Sequence, residues 1–169
     1  MSLEKFYARP GHLIRRLHQI STALFSDETA PQGLTPVQYA ALQMVETVPG
    51  IDQAALSDMI AFDKTTLVKV LDRLVDKGLL TRTRSGADRR VNQLHATVRG
   101  TQLLRDMHAL VDRSDKRILA PLNSVEQRSF MELLTRVVQV NNIYSRAPLT
   151  LREDVLARSK PVGKGRRRR

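Results

Sequence analysis

The sequence predicts a mainly helical protein with one small β-hairpin, in which a winged helix-turn-helix domain is flanked by N- and C-terminal helices that dimerise. Two observations predict this fold. Six segments carry apolar residues at helical spacing, and most of them begin at a residue type that caps helices well. Between the fourth and fifth segments, two stretches that alternate like strands flank a short turn, as in a hairpin.

The first two predicted helices are separated by a polar break that contains a proline and a glycine. Helix one is predicted over about residues 10–26, with an apolar stripe along one side. Helix two is predicted to begin at Thr35, because Pro36 fits a first turn and Gln38 can complete a capping box. It is predicted to end at the Pro-Gly pair at 49–50. The stripe of helix one consists of Leu13, Leu17, Ile20 and Leu24.

The third and fourth predicted helices follow in the order of a helix-turn-helix. A short third helix is capped by Asp52, and a longer fourth runs from Asp63, which can cap the first turn, to Gly78, which suits a left-handed helix end. In a helix-turn-helix, the second helix lies in the major groove with its N-terminal residues at the base edges. We therefore expect DNA contacts from the exposed face of the fourth helix, from Thr65, Thr66, Lys69 and Arg73.

A basic hairpin follows the fourth helix and is predicted to form the wing. The stretch LLTRTR leads up to a Ser-Gly-Ala turn at 85–87, and VNQLHA leads back. Charged hairpin tips commonly serve only to prevent edge pairing, but these arginines lie beside a basic helix face, which favours contact with the narrow minor groove. Asp88 is expected to hold Arg90 in one rotamer. The wing residues predicted at the DNA are Arg82, Arg84, Asp88, Arg89 and Arg90.

Two long helices complete the predicted fold. The fifth begins at Thr97 and ends at about Ala120, and the sixth begins at Ser124, where Gln127 is expected to complete a capping box. Together with helix one, they carry more apolar surface than a small helix-turn-helix can cover. We therefore expect a homodimer whose interface is formed by these helices.

Composition limits the function classes. A chain of 169 residues with 41% hydrophobic content can bury one sizeable core, and a chain without cysteine has no disulfides and no thiol-based redox sensor. No apolar run is long enough to cross a membrane and no signal peptide is recognisable, so we expect a cytoplasmic protein without a membrane partner. Of the net charge of +11, seven positive charges lie in 158–169. This tail is expected to be disordered, and it is either a solubilising end or a nonspecific phosphate contact.

The sequence offers little for catalysis, for a metal ion or for a cofactor. The four histidines are scattered, and no metalloprotease, hydrolase or phosphate-loop motif occurs. His12 and His18 are not one helical turn apart, and two isolated imidazoles do not enclose a metal ion. We therefore expect no enzyme activity, no metal site and no cofactor.

Two stretches resemble the MarR family of bacterial winged-helix regulators. LDRLVDKGLLTR at 71–82 is similar to the family's recognition-helix end and first wing strand, and DRRVNQLHATVRG at 88–100 is similar to its wing tip and the start of the next helix. The resemblance covers about residues 10–145. Ala96, where the family commonly has leucine, and the arginine-rich tail depart from the pattern. The matching motif positions in the second stretch are Asp88, Arg90, Thr97 and Gly100.

The resemblance implies a domain organisation and a DNA target. Interlocked terminal helices of two subunits would place the recognition helices about one DNA turn apart, on a double-stranded, pseudo-palindromic operator. It also implies a ligand pocket between the dimerisation helices and the DNA-binding lobe. The expected divisions are an N-terminal dimerisation helix at 1–34, a winged helix-turn-helix at 35–97, C-terminal dimerisation helices at 98–146 and a basic, disordered tail at 147–169.

An effector site is expected near the start of helix one. His12 and Arg16 border its apolar stripe, with Arg15 further round; such residues either solvate the helix margin or bind a carboxylate whose organic part enters the core. The opening RPGHLIRR is also similar to that of family members that regulate the breakdown of aromatic acids. The expected effector is an anionic aromatic acid or its coenzyme A thioester, with a site formed by His12, Arg15, Arg16, Tyr39, Met44 and Met107.

Three functions remain open on the sequence: a ligand-responsive repressor, a ligand-independent DNA-binding regulator and a nonspecific nucleic-acid-binding protein that uses its tail. Strong preference for one operator over other duplexes separates the two regulators from the third. Release of DNA by a small molecule separates the first from the second. The ligand-responsive repressor is favoured because the resemblance implies a pocket.

Overall fold

A computed structural model describes residues 2–84 and 92–150 of the chain. No helix in these two ranges has both the length and the apolar character that a membrane crossing requires. The strands are β1 (Ile51–Asp52), β2 (Leu80–Arg84) and β3 (Asn92–Ala96). The helices are α1 (Leu3–Tyr7), α2 (Pro10–Thr29), α3 (Pro36–Thr47), α4 (Gln53–Ile60), α5 (Lys64–Asp76), α6 (Val98–Leu119) and α7 (Ser124–Val140). Two 3-10 turns lie at Ala30–Gln32 and Asn142–Tyr144.

Most of the predicted helix caps are confirmed. Thr35 and Gln38 form the expected capping box at the start of α3. The carboxylates of Asp52 and Asp63 each accept a hydrogen bond from the backbone amide three residues further on, at 2.9 Å. Gly78 follows the end of α5 with a positive φ of 67°, the conformation that a glycine adopts most easily at a helix end. The limits of α3, α4 and α5 therefore follow from local chemistry.

The cap of α7 differs from the prediction. The helix begins at Ser124 as expected, but the capping box is formed by Asn123 and Glu126, and the predicted role of Gln127 was wrong. Ser124 already has helical geometry, so the residue before it occupies the cap position and the box partner moves back by one. Gln127 instead donates its amide hydrogens to the carbonyl oxygens of Leu119 and Leu122.

The N-terminal helix is preceded by a short helix that the sequence did not predict. Ser2 caps α1 by accepting a hydrogen bond from the amide of Lys5 at 3.3 Å. The following helix, α2, also extends beyond the predicted end to Thr29, a buried residue whose hydroxyl donates to the carbonyl of Phe25 at 2.8 Å. Burial of this hydroxyl in a satisfied hydrogen bond allows the helix to continue into the polar segment.

The predicted hairpin is confirmed, and it belongs to a three-stranded antiparallel sheet in the order β1-β3-β2. Leu80 lies opposite Ala96 and Arg84 lies opposite Asn92, so the two wing strands pair over their full length. Ile51 of β1, which was not predicted as a strand, pairs with Leu94. We call α3, α4, α5 and this sheet the winged lobe.

One hydrophobic core joins the winged lobe to α6. It is formed by leucines and other apolar side chains from α3, α4, α5 and the sheet, together with the inner face of α6. The burial of these side chains provides the main stabilising free energy of the fold. The largest fully buried apolar side chains are Leu42, Val45, Leu56, Leu67, Leu71, Leu74, Leu80, Leu94 and Met107.

The start of α6 makes a close backbone contact with the winged lobe. Thr97 caps α6 by accepting a hydrogen bond from the amide of Gly100 at 3.0 Å, and its hydroxyl donates to the carbonyl of Gly78 at 2.8 Å. A Cβ atom at Gly100 would lie 2.3 Å from the carbonyl oxygen of Leu79. The Thr-x-x-Gly motif thus fixes the direction in which α6 leaves the lobe.

The terminal helices keep apolar faces exposed in the protomer. Leu13 of α2 is 54% exposed, and no residue of α7 is buried. A groove of about 520 Å³ lies between α2, α6 and α7. Its apolar lining includes Leu17, Ile118 and Leu134. Exposed apolar surface of this kind is typical of a subunit interface.

The chain returns to the winged lobe after α7. The side chain of Asn142 forms two hydrogen bonds with the backbone of Leu149. Its Oδ1 accepts from the amide of Leu149 at 2.8 Å, and its Nδ2 donates to the carbonyl oxygen of Leu149 at 2.9 Å. The amide of Thr150 then donates to the carbonyl oxygen of Asp58 in α4, also at 2.8 Å. The predicted disordered tail at 147–169 therefore begins with an attached segment, and residues 151–169 lie outside the described ranges.

Candidate DNA interface and effector site

The outer face of α5 presents polar and basic side chains. Leu67, Leu71 and Leu74 are fully buried against the core, which fixes the rotation of the helix. The opposite face is consequently exposed along its length. The four residues that the sequence predicted at the DNA all lie exposed on this helix: Thr65, Thr66, Lys69 and Arg73.

The two threonines at the start of α5 differ in their surroundings. Hydrogen bonds from the hydroxyl of Thr66 and then from its backbone amide lower the pKa of Asp63. The hydroxyl of Thr66 is therefore engaged with the cap, and the carboxylate stays ionised at neutral pH. Thr65 is equally exposed, and it lowers the pKa of Asp63 through its backbone amide. The two threonines thus differ in which of their groups interacts with the cap.

Arg82 connects the wing to α5. Its guanidinium lies 2.7 Å from a carboxylate oxygen of Asp72, and the two side chains are 31% and 49% exposed. The sequence assigned Arg82 to DNA and gave Asp72 no role, although an acid between Lys69 and Arg73 on α5 is a signal that could have indicated an ion pair. Arg84, at the end of β2, is exposed. In the described structure Arg82 therefore positions the wing strand against the helix.

The wing tip lies beyond the described residues. The hairpin pairing ends at Arg84 and Asn92, and the predicted turn at 85–87 lies outside the ranges that the structure describes. The same holds for Asp88, Arg89 and Arg90. Their assignment to the minor groove stays a prediction from the sequence.

An aromatic and basic concavity lies where α1 meets α2. Its volume is about 520 Å³, and it is lined by Phe6, Arg9, Pro10, Gly11, His12 and Arg15. The ring of His12 lies 5.2 Å from that of Phe6 and 5.4 Å from that of Tyr7, centroid to centroid. Two of the six predicted effector residues, His12 and Arg15, are thus found together. The aromatic rings beside them belong to α1, the helix that the sequence did not predict.

The other predicted effector residues lie elsewhere in the protomer. Arg16 donates a hydrogen bond to Gln19 at 3.0 Å along the exposed side of α2. The ring of Tyr39 packs against Phe25 at 5.8 Å. Phe25 lies thirteen residues beyond His12 on the same helix, which corresponds to about 20 Å. Tyr39 is therefore remote from the concavity.

The two predicted methionines belong to the hydrophobic core. Met107 is fully buried within it, and Met44 packs against it while partly exposed. The expectation that both line an adaptable effector wall stays a prediction. Both residues lie on helix faces with core periodicity, and that periodicity does not separate a core position from a pocket wall.

Acidic groups surround Tyr39 and the middle of α6. Burial, followed by the charges of Asp112 and Asp115, raises the pKa of Tyr39. Burial, followed by the charge of Asp112, likewise raises the pKa of Asp115. The lining of the concavity between α1 and α2 contains arginines and no acidic residue, which makes it the better location for an anion.

Charged pairs connect the C-terminal end of α2 to α6. Hydrogen bonds from Arg113 and then Arg117 lower the pKa of Glu28, and Arg117 also contacts Asp27.

Within 2–84 and 92–150, no three potential metal ligands cluster in a way that could hold an ion. His108 contacts Asp112 at 3.4 Å, far along the chain from His12.

Comparisons with known proteins agree on one family. The sequence model described as the MarR family matches residues 32–91. The chain is 35% identical over 125 residues to a putative transcriptional regulatory protein for the hcr operon of Thauera aromatica, covering 74% of each protein. It is also 32% identical over 127 residues to the transcriptional regulator HosA of Escherichia coli, covering 75% of this chain and 93% of HosA.

Solved structures of regulators share the fold. The PcaV transcriptional regulator of Streptomyces coelicolor, in complex with its natural ligand, superposes with a TM-score of 0.75 at 32% identity, covering 82% of this chain and 98% of PcaV. BpsR of Bordetella bronchiseptica, whose DNA binding is regulated by 6-hydroxynicotinic acid, gives 0.74 at 26% identity, covering 78% and 94%. The repressor CouR bound to a 23-mer DNA duplex gives 0.76 at 26%, covering 82% and 98%.

Proposed function

Because this chain belongs to the MarR family of DNA-binding transcriptional regulators, we propose that it is a homodimeric repressor, released from a pseudo-palindromic operator by a small anionic aromatic ligand. The ligand is a free aromatic acid or its coenzyme A thioester. The observation that carries the ligand assignment is the concavity between α1 and α2, in which His12 and Arg15 lie beside aromatic rings.

The operator contact is assigned to α5 and the wing. The exposed face of α5 offers hydroxyl groups at its N-terminus and the cations of Lys69 and Arg73 further along. Hydroxyl and guanidinium groups bind both base edges and phosphates, whereas Lys69 acts mainly as a point charge. Arg84 extends the positive surface along the wing strand. CouR, with the same fold, has been solved on duplex DNA, which supports DNA binding by this fold.

The homodimer is assigned to the exposed faces of α2, α6 and α7. An isolated protomer would leave these apolar side chains in water. Burying them would contribute about 25 cal/mol of free energy for each Å² of apolar surface. A second copy of the chain can cover them symmetrically, and it would fill the groove between the three helices. Two subunits bring two copies of α5, and this geometry requires two half-sites about one DNA turn apart.

The chemistry of the concavity fits an aromatic carboxylate. The guanidinium of Arg15 can form two parallel hydrogen bonds with a carboxylate, and the rings of Phe6 and His12 can contact an aromatic ring edge-on or offset. A volume of about 520 Å³ lies within the usual range for small-molecule sites. PcaV has been solved with its natural ligand, and 6-hydroxynicotinic acid, which regulates BpsR, is a carboxylated aromatic ring.

A thermal-shift screen followed by an operator-release assay tests the proposal. The screen uses benzoates, hydroxybenzoates, hydroxycinnamates and their coenzyme A thioesters, and the best hit is titrated into a protein–operator complex. Arg15→Ala should weaken binding of that hit about tenfold or more, because a charged hydrogen bond is lost. Arg16→Ala is the matched control, since Arg16 pairs with Gln19 outside the concavity.

Three outcomes would contradict parts of the proposal. If no anionic aromatic compound stabilises the protein, the ligand-independent regulator replaces the ligand-responsive one. If the hit binds Arg15→Ala and the native protein equally well, the site is misplaced. If the protein binds all duplexes alike with a steep salt dependence, it is a nonspecific nucleic-acid-binding protein.

A further inference from the structure

The chain that follows α5 is held by the first residues of α6. Three consecutive backbone carbonyl oxygens after α5 each accept a hydrogen bond from this helix start. The guanidinium of Arg99 donates to the carbonyl oxygen of Lys77 at 3.1 Å. The hydroxyl of Thr97 donates to the carbonyl oxygen of Gly78 at 2.8 Å, and its amide donates to that of Leu79 at 3.0 Å. The C-terminal end of α5 is therefore bound to α6 at three successive positions.

The side chain of Lys77 extends this contact to a third part of the fold. Its ammonium group donates to the carbonyl oxygen of Gly33, which follows the 3-10 turn between α2 and α3. Lys77 thus accepts a hydrogen bond from α6 through its carbonyl oxygen and donates one to the α2–α3 connection through its side chain. We call these two hydrogen bonds the Arg99–Lys77–Gly33 linkage. It joins the end of α5 to both α2 and α6, which are assigned to the dimer above.

A cleft of about 970 Å³ lies where these three parts meet. Its lining includes Gln32 before α3, Lys77 and Leu79 after α5, and Arg99 and Leu103 of α6. Protein interiors fix the relative position of their elements by close packing, and an open cleft does not provide such packing. Hydrogen bonds between the parts that line the cleft therefore matter for the angle between them.

We propose that Lys77 and Arg99 are positioning residues, whose linkage holds α5 at one angle to the dimer-forming helices and so restricts the protein to one half-site spacing. This inference rests on the homodimer and the two half-sites proposed above. The 13 residues of α5 span about 20 Å. A rotation of about 10° about the C-terminal end of α5 would move its N-terminal residues by about 3.5 Å, close to the rise of one base pair.

The expected effect is a loss of discrimination between operator spacings. Binding to a wrongly spaced operator would require the winged lobe to rotate and to break a hydrogen bond of the linkage. Loss of one such bond changes an equilibrium constant about two- to tenfold. A substitution that removes the bond in advance also removes this penalty. The ratio of the affinities for correctly and wrongly spaced operators should then fall about two- to tenfold for each subunit that rotates.

The test uses the full-length protein and three duplexes that carry the same two half-sites. The first duplex is a sequence selected from a random library by the native protein, and in the others the spacer is one base pair shorter or longer. Affinity is measured by fluorescence anisotropy at several salt concentrations.

Two variants each remove one hydrogen bond of the linkage, and a third is the control. Arg99→Ala removes the bond to the carbonyl oxygen of Lys77. Lys77→Ala removes the bond to Gly33 and leaves that carbonyl oxygen, which belongs to the backbone, available to Arg99. Arg105→Ala removes the same charge from an exposed position of α6, where the side chain has no hydrogen-bond partner among the described residues.

Arg99→Ala and Lys77→Ala should each reduce the discrimination between spacings about two- to tenfold or more. Affinity for the correctly spaced duplex should change less, because the linkage is not strained in that complex. The slope of log K against log salt should keep its native value, since neither side chain contacts a phosphate in this role. Arg105→Ala should keep the native discrimination.

Specific results would overturn the inference. Unchanged discrimination in both variants would show that the linkage does not determine the spacing, and equal losses of affinity on all three duplexes would leave it only a role in stability. A salt slope lowered by about 0.9 per subunit would place the substituted side chain on a phosphate. The same loss of discrimination in Arg105→Ala would attribute the effect to charge alone. Failure of the native protein to select a sequence with two half-sites would instead contradict the proposed operator binding, so the two failures are distinguishable.

Discussion

Replacing Gly100 by alanine should destabilise the protein, although the change adds only one methyl group. The new Cβ would lie 2.3 Å from the carbonyl oxygen of Leu79, 3.2 Å from its carbonyl carbon and 3.3 Å from a methyl group of Leu42. Because the first two atoms belong to the backbone, no rotamer change relieves the clash. The start of α6 must move away from the lobe.

That movement has an estimable cost. Overpacking of this kind costs about 1–3 kcal/mol. The Thr97 hydrogen bonds to Gly78 and Leu79, at 2.8 and 3.0 Å, would weaken as well, at about 0.5–1.5 kcal/mol each. The higher helix propensity of alanine offsets about 1 kcal/mol of this loss in stability. We expect a net loss of about 1–5 kcal/mol in the free energy of unfolding.

Urea denaturation followed by circular dichroism measures this loss at a fixed protein concentration. Gly11→Ala is the matched control, because its Cβ would meet no atom within 4 Å. That variant should be as stable as the native protein or slightly more stable. A Gly100→Ala variant within about 0.5 kcal/mol of the native protein would refute the close-approach argument.

Three further predictions concern the wing and the pairing of α2 with α6. Asp72→Ala and Arg82→Ala should each lower operator affinity several-fold while changing the unfolding free energy by less than about 1 kcal/mol, because the pair is exposed; additive effects on affinity in the double variant would argue against a shared role. Arg90→Ala should weaken operator binding by about 1–3 kcal/mol and Asp88→Ala by less, measured by titration at two salt concentrations; an unchanged affinity for Arg90→Ala would refute the wing contact. Hydrogen bonds from two arginines of α6 lower the pKa of Glu28, so its contribution to stability is present above the ordinary value of 4.5 and is lost as the pH falls through the lowered pKa. Glu28→Gln should therefore lose less stability than the native protein on acidification through this window, as denaturation at a series of pH values will show, and parallel pH profiles would contradict the assignment.

Sequence reasoning succeeded where structure depends on neighbouring residues. The caps at Thr35, Asp52 and Asp63 join a side chain to an amide a few residues away, and Gly78 meets a purely local backbone requirement. The hairpin likewise follows from alternation and a turn. Even the error at α7 was an error of a single residue, between two good capping types.

Sequence reasoning failed where distant segments meet. The contact between Arg82 and Asp72 depends on how β2 crosses α5, and periodicity does not contain that information. Met107 carries the same helical spacing whether it fills the core or lines a pocket. The rings beside His12 come from α1, a helix too short for its period to be visible. Assignments of this kind require tertiary structure.

The exposed surface of α7 makes the stability of the proposed dimer depend on protein concentration. Since no residue of this helix is buried in a single copy, its apolar side chains are buried only when a second subunit covers them. The stability of a homodimer increases with protein concentration by mass action. In the proposed dimer, melting temperature and operator occupancy would both fall on dilution. Gene dosage would then join the effector in determining when repression ends.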